Sequence, residues 1–148
     1  MAGIRRILHA TDFSPASARA LNEAVKLATQ NRAALLIVHV IEPTSYVAGD
    51  EFGSAEIYTK LQDIAERDAK TSMSKLLGRL KKSNIKAQGL LLKGFAYDQI
   101  VKAAKSKKAN MIVIGTHGRT GLSKLFMGSV AGKVISLATC PVLTVRGK

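Results

Sequence analysis

The sequence predicts an α/β fold, a three-layer α/β/α sandwich around a five-stranded parallel sheet. Short apolar runs alternate with longer segments of helical periodicity along the 148 residues. The runs are continuous, which is typical of parallel strands covered on both faces. Each connecting segment is long enough to cross over the sheet as a helix, and such crossovers are right-handed. No Pro/Gly/Ser-rich linker interrupts the pattern, so we expect residues 1–148 to form a single domain.

The first strand is expected at residues 4–10, and the first helix directly after it. Ser14 suits the N-cap position, and Pro15 suits the first helical position. Asp12 would then lie just past the carboxyl end of a strand, where open α/β sheets place their ligand groups. Asp12 could equally be a second capping residue, and both roles stay open. The inner stripe of this helix would consist of Ala20, Leu21, Ala24, Val25 and Ala28.

The second strand is expected at residues 33–40 and the second helix at residues 54–82, with a polar, irregular loop at 44–53 between them. His39 interrupts the strand, and we expect it to be a hydrogen-bonded core residue rather than a metal ligand. Apolar residues at steps of three and four predict the buried face of the helix. They are Ile57, Leu61, Ile64, Ala65, Ala69, Met73, Leu76 and Leu80.

The second half of the chain repeats the alternation. We expect strands at 85–92, 111–114 and 142–145, a helix at 96–108, and a last helix that begins at Ser129. The helix at 96–108 would pack through Ile100, Val101, Ala103 and Ala104. The last helix would pack through Val130, Val134, Leu137 and Ala138. Cys140 is the only cysteine, so no disulfide forms within the chain. We read it as a small buried apolar residue in a reduced, cytoplasmic protein.

The charge of the chain favours an anionic partner. The formal net charge is +13, and residues 99–148 contain nine Lys or Arg and no Asp or Glu. The partner could be a nucleotide phosphate or a nucleic acid, although Lys102, Lys105, Lys107 and Lys108 could simply form a solvated helix face. With three Tyr, four Phe and no Trp, the chain offers little surface for stacking bases. No run of 18 apolar residues predicts a membrane span.

The segment 111–130 reads as a buried strand that leads into a phosphate-binding loop. Its glycines permit sharp turns and close approach of a ligand to the backbone, and the N–H groups at the following helix start would face an anion. The dinucleotide fingerprint G-x-G-x-x-G is absent, since Gly115 and Gly118 are three residues apart and no glycine lies two before Gly118. The Walker pattern fails at residues 128–134, because one spacer is missing and Val134 replaces the hydroxyl residue.

With both motifs excluded, the remaining pattern is G-x-x-G followed, after nine residues, by G-S. Together with four further features, this pattern resembles the universal stress protein family, in its ATP-binding branch, over residues 4–146. The features are the strand end Thr11-Asp12, Ser14, the strand end Val38-His39-Val40, and the closing segment CPVLTV. The resemblance implies a Rossmann-like, adenine nucleotide α-hydrolase-like sheet in the order 3-2-1-4-5. It also implies a homodimer joined by pairing of the last strands, Val142–Val145, and ATP bound across the carboxyl ends of the strands.

The resemblance also implies a role for each matching residue. Thr11 and Asp12 would approach the ribose, and the backbone of Val40 would hydrogen-bond the adenine. The loop would be lined by Gly115, His117, Gly118 and Arg119. The phosphates would receive N–H groups from Gly128, Ser129 and Val130, and the serine hydroxyl. On physical grounds, since a helix dipole supplies only about 0.3–1 kcal/mol, we expect Arg119, Lys124 or a metal, Mg²⁺ or Mn²⁺ bound through the phosphates, to share in neutralising the phosphate charge.

These features predict nucleotide binding more than turnover. Phosphoryl transfer needs in-line positioning, usually Mg²⁺, and a group that orients the attacking water. Asp12 is the only obvious carboxylate near the expected site, and a ribose contact would place it badly for the γ-phosphate. We therefore expect a nucleotide-dependent regulatory or stress-response protein with slow or absent hydrolysis. A slow metal-dependent ATPase and a nucleic-acid-binding basic protein are the alternatives.

Overall fold

The computed structural model describes residues 3–43, 54–116 and 128–147. Five parallel strands form one sheet in the order β3-β2-β1-β4-β5, which confirms the expected α/β class and strand order. The strands are β1 (Arg6–Ala10), β2 (Ala34–Ile41), β3 (Ala87–Lys93), β4 (Met111–Gly115) and β5 (Val142–Val145). The helices are α1 (Pro15–Asn31), α2 (Ala55–Lys82), α3 (Ala96–Ser106) and α4 (Ser129–Leu137). The expected loop at 44–53 lies outside the described residues.

Helices cover both faces of the sheet, so that two apolar cores flank it. On one face, Ile7 and Ile37 pack with residues of α1 and α2, such as Ala24 and Met73. On the other face, Leu8 and neighbouring strand residues pack with α3 and α4. Successive residues of β1 thus enter opposite cores, as the alternation of side chains along a strand requires. Central strands buried on both sides explain the continuous apolar runs of the sequence.

Capping side chains fix where the first two helices begin. Ser14 has an extended backbone at the N-cap of α1, its Oγ accepts from the Ser17 N–H at 3.2 Å, and Pro15 follows at the first helical position. Ser54 caps α2 in the same way by accepting from Ile57 N–H. The expectation for Ser14 and Pro15 is confirmed. Helix α1 ends at Arg32, a non-glycine residue with φ of 53° in the left-handed region.

The expected buried face of α2 is wrong over its first half. Ile57, Leu61 and Ile64 are exposed by 46%, 46% and 51% of their surface. The buried residues of this helix begin only at Ala69 and continue through Met73, Leu76 and Leu80. At 1.5 Å per residue the 28 residues of α2 span about 42 Å, whereas the seven residues of β3 span about 23 Å. The helix therefore extends past the sheet that its second half covers.

Leu137 was also expected on the inner face of α4, and it is 53% exposed. The buried residues of α4 are Ala131 and Val134. At 100° per residue, Ala131 and Leu137 lie on opposite flanks of Val134. The helix turns its Ala131 flank toward the core, so the Leu137 flank faces outward. Cys140 is half-buried beside the second core, and this burial raises the pKa of its thiol. In the described part of the chain, no helix is both long and apolar enough to cross a membrane.

Candidate functional site

A cavity of about 330 Å³ lies at the carboxyl ends of the three central strands. β1 is the central strand of the sheet, and the chain continues from it to β2 on one side and later returns to β4 on the other. Open α/β sheets bind ligands at such a reversal of strand order. The described residues that line the cavity are Ala10, Thr11, Asp12, Ser17, Val38, His39, Val40, Ala96, Ile100, Ile114, Gly115, Thr116, Gly128, Ser129, Val130 and Ala131.

The first wall is the turn from β1 into α1. Thr11 N–H donates to the Val38 carbonyl at 2.9 Å, which is the last main-chain hydrogen bond of this segment with β2 in the described chain. The chain then leaves the sheet through Phe13, whose φ of 63° is unusual for a residue other than glycine. Asp12 Oδ1 accepts from Ser14 N–H at 2.9 Å and from Ser17 Oγ–H at 2.6 Å. Asp12 therefore caps the start of α1 and lines the cavity as well.

His39 holds this turn in place. Its Nδ1 lies 2.8 Å from the Thr11 carbonyl oxygen, and because a carbonyl can only accept, Nδ1 carries the proton. The His39 ring also packs on the Phe13 ring, with 4.6 Å between the ring centroids. The expectation of a hydrogen-bonded histidine is confirmed. The residue is half-buried and faces the cavity, which the sequence did not indicate.

The main-chain groups of Val40 point toward the space that β1 leaves. The Val38 carbonyl faces β1, where it accepts from Thr11, and the Ile41 carbonyl faces β3, where it accepts from Gly94 N–H at 3.1 Å. Main-chain groups alternate in direction along a strand, so those of Val40 face the same side as those of Val38. By that point β1 has turned away. Within the described chain, no main-chain hydrogen bond joins Val40 to β1 or to the turn that follows it.

The opposite wall is the end of β4 with the start of α4. Gly128 is the N-cap residue of α4, and its N–H donates to the Thr116 carbonyl. In the described chain, no side chain caps this helix start, and its first turn contains no acidic residue. The other three helices differ. Ser14 and Ser54 cap α1 and α2, and α3 has Asp98 in its first turn and donates Ala96 N–H to Glu42 Oε1 at 3.1 Å. Among the described helices, α4 alone thus begins with first-turn N–H groups that neither a side-chain cap nor an acidic residue serves.

The cavity combines an apolar slot with polar ends. Ala10, Ile100, Ile114 and Ala131 form apolar walls, whereas the main chain of Val40 and the first turn of α4 supply polar groups. Asp12 is the only charged side chain among the described lining residues. Such a site can hold a flat, largely apolar ring by its faces and edge, and an anion at the helix start.

A second histidine lies beneath the turn, and no sequence pattern indicated its burial. His9 is fully buried in β1, and its Nδ1–H donates to the Val113 carbonyl at 3.0 Å. Within the described chain its Nε2 atom has no hydrogen-bond partner. Burial lowers the pKa of His9 to about 4, against smaller opposing effects of the Val113 hydrogen bond and the Asp12 charge. His9 is therefore neutral at physiological pH.

Seven of the ten site residues named from the sequence line this one cavity: Thr11, Asp12, Val40, Gly115, Gly128, Ser129 and Val130. His117, Gly118 and Arg119 lie outside the described residues. The Gly128 N–H is already bonded to Thr116, so Ser129 and Val130 are the first helical donors. Sequence reasoning missed Ser17, Ala96 and Thr116. Their position gives a signal that could have found them, because each lies at or near the start of a helix or directly after a strand.

The structure is an α/β protein with a cavity at the switch point of a parallel sheet. A family model described as the universal stress protein family matches residues 3–146, and the chain belongs to that family.

Relatives and solved structures agree with this assignment. The chain is 35% identical over 141 residues to universal stress protein A homolog 1 of Coxiella burnetii, with 95% of each chain covered. It is similar to the solved structure of protein MJ0577 of Methanocaldococcus jannaschii, with a TM-score of 0.86, 28% identity, and 99% of each chain covered. It is also similar to the Archaeoglobus fulgidus universal stress protein in complex with dAMP, with a TM-score of 0.67, 25% identity, and 97% and 98% of the two chains covered.

Proposed function

We propose that the cavity binds an adenine nucleotide, ATP in the first place, and that the chain is a nucleotide-dependent regulatory protein. One observation carries the proposal. The main-chain groups of Val40 and the first turn of α4, which in the described chain has neither a side-chain cap nor an acidic residue, both line one largely apolar cavity. A base at one end and phosphates at the other match this arrangement. The family assignment supports the same ligand class.

The adenine is placed against β2. Its faces would contact the apolar walls of the slot, and its edge, with one donor beside one acceptor, would pair with the N–H and carbonyl of Val40. Thr11 and Asp12 lie in the turn beside this position, where the family resemblance places the ribose. The relative from Archaeoglobus fulgidus was solved in complex with dAMP, which supports an adenine ligand in this chain.

The phosphates are placed at the start of α4. The Ser129 and Val130 N–H groups and the Ser129 hydroxyl are the donors in the described chain. A helix dipole contributes about 0.3–1 kcal/mol to the binding of an anion at the helix start, which is small for a ligand with several negative charges. Positively charged groups must therefore neutralise most of the phosphate charge. We propose Arg119, Lys124 and a Mg²⁺ or Mn²⁺ ion bound through the phosphates. The two side chains belong to the segment 117–127, outside the described residues.

We propose binding rather than rapid turnover because Asp12 already has a structural task. Its Oδ1 accepts two hydrogen bonds that shape the start of α1. A general base must be within reach of the attacking water, at the phosphate end of the ligand. Asp12 lies in the turn after β1, beside the proposed ribose position. Steady-state phosphate release from purified protein is therefore expected to be slow, and it should not depend on Asp12.

Nucleotide binding is tested by what the purified protein carries and by thermal stability. Mass spectrometry of the supernatant after denaturation should detect an adenine nucleotide. Protein stripped of nucleotide should gain stability with Mg-ATP, by about 2.7 kcal/mol at a concentration of 100 times Kd. A nucleotide-free preparation whose melting temperature is unchanged by ATP, ADP and AMP would overturn the proposal.

A pair of matched variants tests the phosphate position. Ser129→Asp places a carboxylate in the first turn of α4. There it interacts favourably with the helix dipole but repels phosphate. The unliganded variant should be as stable as the wild type, whereas its thermal response to ATP should be lost. Ser136→Asp places the same change in the last turn of the same helix, away from the cavity. It should slightly lower stability and keep the full ATP response. An unchanged response in Ser129→Asp would contradict the placement.

We also propose that the protein is a homodimer joined through β5. This strand forms one edge of the sheet and pairs only with β4 in the described chain. Ile112 N–H donates to the Pro141 carbonyl and Thr116 N–H to the Val145 carbonyl, each at 2.9 Å. By alternation, Leu143 also faces β4, whereas Val142 and Thr144 present their main-chain groups to the open edge.

This alternation decides which proline variant tests the dimer. Proline at Thr144 removes an N–H from the open edge and leaves the pairing with β4 intact. Light scattering should then report a folded monomer. Proline at Leu143 removes a hydrogen bond inside the sheet, so it should destabilise the fold itself and serves as the control. A Thr144→Pro protein that remains a dimer would contradict an interface through β5.

A further inference from the structure

The amino end of the sheet, opposite the cavity, carries a concentration of positive charge. In this fold the strands begin and the helices end at the same side of the molecule. Basic residues occur at the start of β1, at the end of α1, around the turn from α2 to β3, and at the end of α3. We call this set the amino-end face, and it consists of Arg5, Arg6, Arg32, Lys81, Lys82, Lys86, Lys105, Lys107 and Lys108.

No described carboxylate lies on the amino-end face. Asp12, Glu42, Glu56 and Asp98 lie at or beside the opposite end of the sheet, where strands end and helices begin. The remaining described carboxylates are Glu23 at the middle of α1 and Asp63, Glu66 and Asp68 in the first half of α2. The ion pairs in the described chain join Lys26 to Glu23, Lys93 to Glu66, and Lys102 to Asp98, so none involves the amino-end face.

The positive charge of the amino-end face exceeds the negative partial charge of the helix C-termini. A helix C-terminus carries a partial charge of about −0.5, so four helices together present about −2 at this side of the molecule. Nine cations leave an excess of about +7. Capping of helix carbonyls accounts for a small part of the set. Arg6 Nη1 donates to the Lys107 carbonyl at 3.0 Å.

Four of the nine cations line a groove in the amino-end face. A depression of about 780 Å³ is lined by Arg6, Arg32, Lys86 and Lys107 together with the first residues of β2 and β3. The strand register places Arg6 beside Ala34, and Leu35 beside Ala87, so Lys86 lies level with Ala34 two strands from Arg6. At about 4.8 Å per strand, the charged row spans about 10 Å.

Main-chain hydrogen bonds hold Arg5 and Arg6 in place at the edge of the groove. The Asn110 Oδ1 atom accepts from the N–H groups of both Arg5 and Arg6 at 2.8 Å, and Arg5 accepts from Ala34 N–H at the same distance.

We infer that the amino-end face binds the phosphodiester backbone of a double-stranded nucleic acid, without sequence preference. The backbone of a duplex is a convex, densely charged ridge that can enter a cationic groove. A lipid surface is flat and fits such a groove less well. Among the described residues that line the groove none is aromatic, so the groove offers no surface for base stacking and contacts go to phosphates. This inference is independent of the proposed nucleotide site at the other end of the sheet.

Fluorescence anisotropy with a labelled 20-base-pair DNA duplex of arbitrary sequence tests the inference on the full chain. Four phosphate contacts predict a slope of about −4 for log K against log salt concentration. Affinity should thus fall by about 250-fold between 50 and 200 mM salt. Lys86→Glu with Lys107→Glu should weaken binding at least tenfold at 50 mM salt and reduce the slope by about 2.

The matched control reverses two exposed cations elsewhere, Lys60→Glu with Arg67→Glu in the first half of α2. It changes the net charge equally, at a distance of at least about 22 Å along the helix from Lys82. This control should bind within about threefold of the wild type. Equal losses in the two double variants would overturn the inference, since only net charge would then matter. Absence of duplex binding by the wild type at 50 mM salt would overturn it as well.

Two further measurements keep the result decisive. Acylation of lysine amines in the wild-type protein, with and without duplex, should show protection of Lys86 and Lys107 and not of Lys60. This readout needs no variant that could misfold, and protection of Lys60 alone would contradict the assignment. Binding to vesicles of phosphatidylserine and phosphatidylcholine, without any binding to the duplex, would assign the face to a membrane surface instead and overturn the inference.

Discussion

The two ends of the sheet use opposite means to attract an anion. At the carboxyl end, the attraction in the described chain comes from main-chain N–H groups at the start of α4, inside a cavity with a single charged side chain, Asp12. At the amino end, nine side-chain cations lie beside the negative ends of four helices, and four of these cations line an open groove. The first arrangement is specific in shape and weak in charge. The second is strong in charge and weak in shape.

This difference follows from the fold itself. Parallel strands with helical crossovers place every helix start at one end of the sheet and every helix end at the other. The positive ends of the helix dipoles thus lie toward the end of the sheet that holds the cavity. In the described chain, caps or acidic residues serve three of these helix starts, and none serves the start of α4. The two ends should therefore respond differently to pH, to substitutions and to salt.

The largest expected effect is a loss of stability in acid, caused by His9 near the carboxyl end of β1. Burial lowers the pKa of His9 from 6.5 to about 4, so the unfolded chain binds a proton that the folded chain excludes. Stability is full above pH 6.5 and is lost as the pH falls toward 4. The shift corresponds to about 3 kcal/mol in total.

Urea unfolding at pH 7.5, 6.0 and 5.0 measures the His9 effect. The wild type should lose stability over this range, and His9→Asn, although less stable at pH 7.5, should lose much less. Lys86→Gln at the amino end is the control and should keep the wild-type pH dependence. An equal acid loss in His9→Asn would assign the effect to other groups.

The next effect concerns ligand shape at the carboxyl end. Ala10 is 6% exposed and lines the cavity, so Ala10→Leu would fill part of the apolar slot. We expect the affinity for ATP, measured by calorimetry, to fall about 100-fold, which is about 2.7 kcal/mol. Duplex binding at the amino end should be unchanged. A variant that binds ATP normally would show that the slot does not hold the base.

A smaller effect is expected from the anchor of the amino end. Asn110→Ala removes the acceptor shared by the Arg5 and Arg6 N–H groups. Because the site is exposed and water can replace the lost bonds, we expect a loss of about 1 kcal/mol in the free energy of unfolding. Asn31→Ala is the control at the same end, since it removes a single local bond from Asn31 Nδ2 to the Leu27 carbonyl. Equal losses in the two variants would deny Asn110 any special role.

The smallest effect concerns repulsion within the amino-end face. Lys86→Gln with Lys107→Gln removes two like charges from a crowded set, and should raise stability by a few tenths of a kcal/mol at low ionic strength. The gain should vanish in 0.5 M salt, where charges are screened beyond about 4 Å. Thermal unfolding at the two salt concentrations measures it. A gain that persists in high salt would have a cause other than charge.

Local chemistry made much of the fold readable from the sequence. The cap at Ser14 and the proline after it located the start of α1, and the continuous apolar runs located the strands to within one or two residues. Periodicity identified the apolar stripe of α2 but not how far the sheet reaches, so Ile57, Leu61 and Ile64 were placed in the core although they are exposed. Leu137 was placed in the core for a similar reason, because periodicity does not show which flank of α4 faces the sheet. What covers a stripe is a property of the tertiary structure.

The candidate site was predictable where it follows strand ends. Thr11, Asp12, Val40 and Gly115 each end a strand or follow one, so the topology alone brings them together. His39 could be assigned a hydrogen bond but not its contact with the Thr11 carbonyl, 28 residues away. His9 was not anticipated, because a single polar residue in an apolar strand gives no sign of complete burial.

Amide hydrogen exchange with and without Mg-ATP tests the central claim most directly, because it reads both ends of the sheet in one experiment. The account predicts slower exchange at the end of β2, including the Val40 amide, and in the first turn of α4, at Ser129 and Val130. Residues 5–8, 86–89 and 105–109 at the amino end should be unaffected. Protection at the amino end alone, or none at Val40 and Ser129, would contradict it.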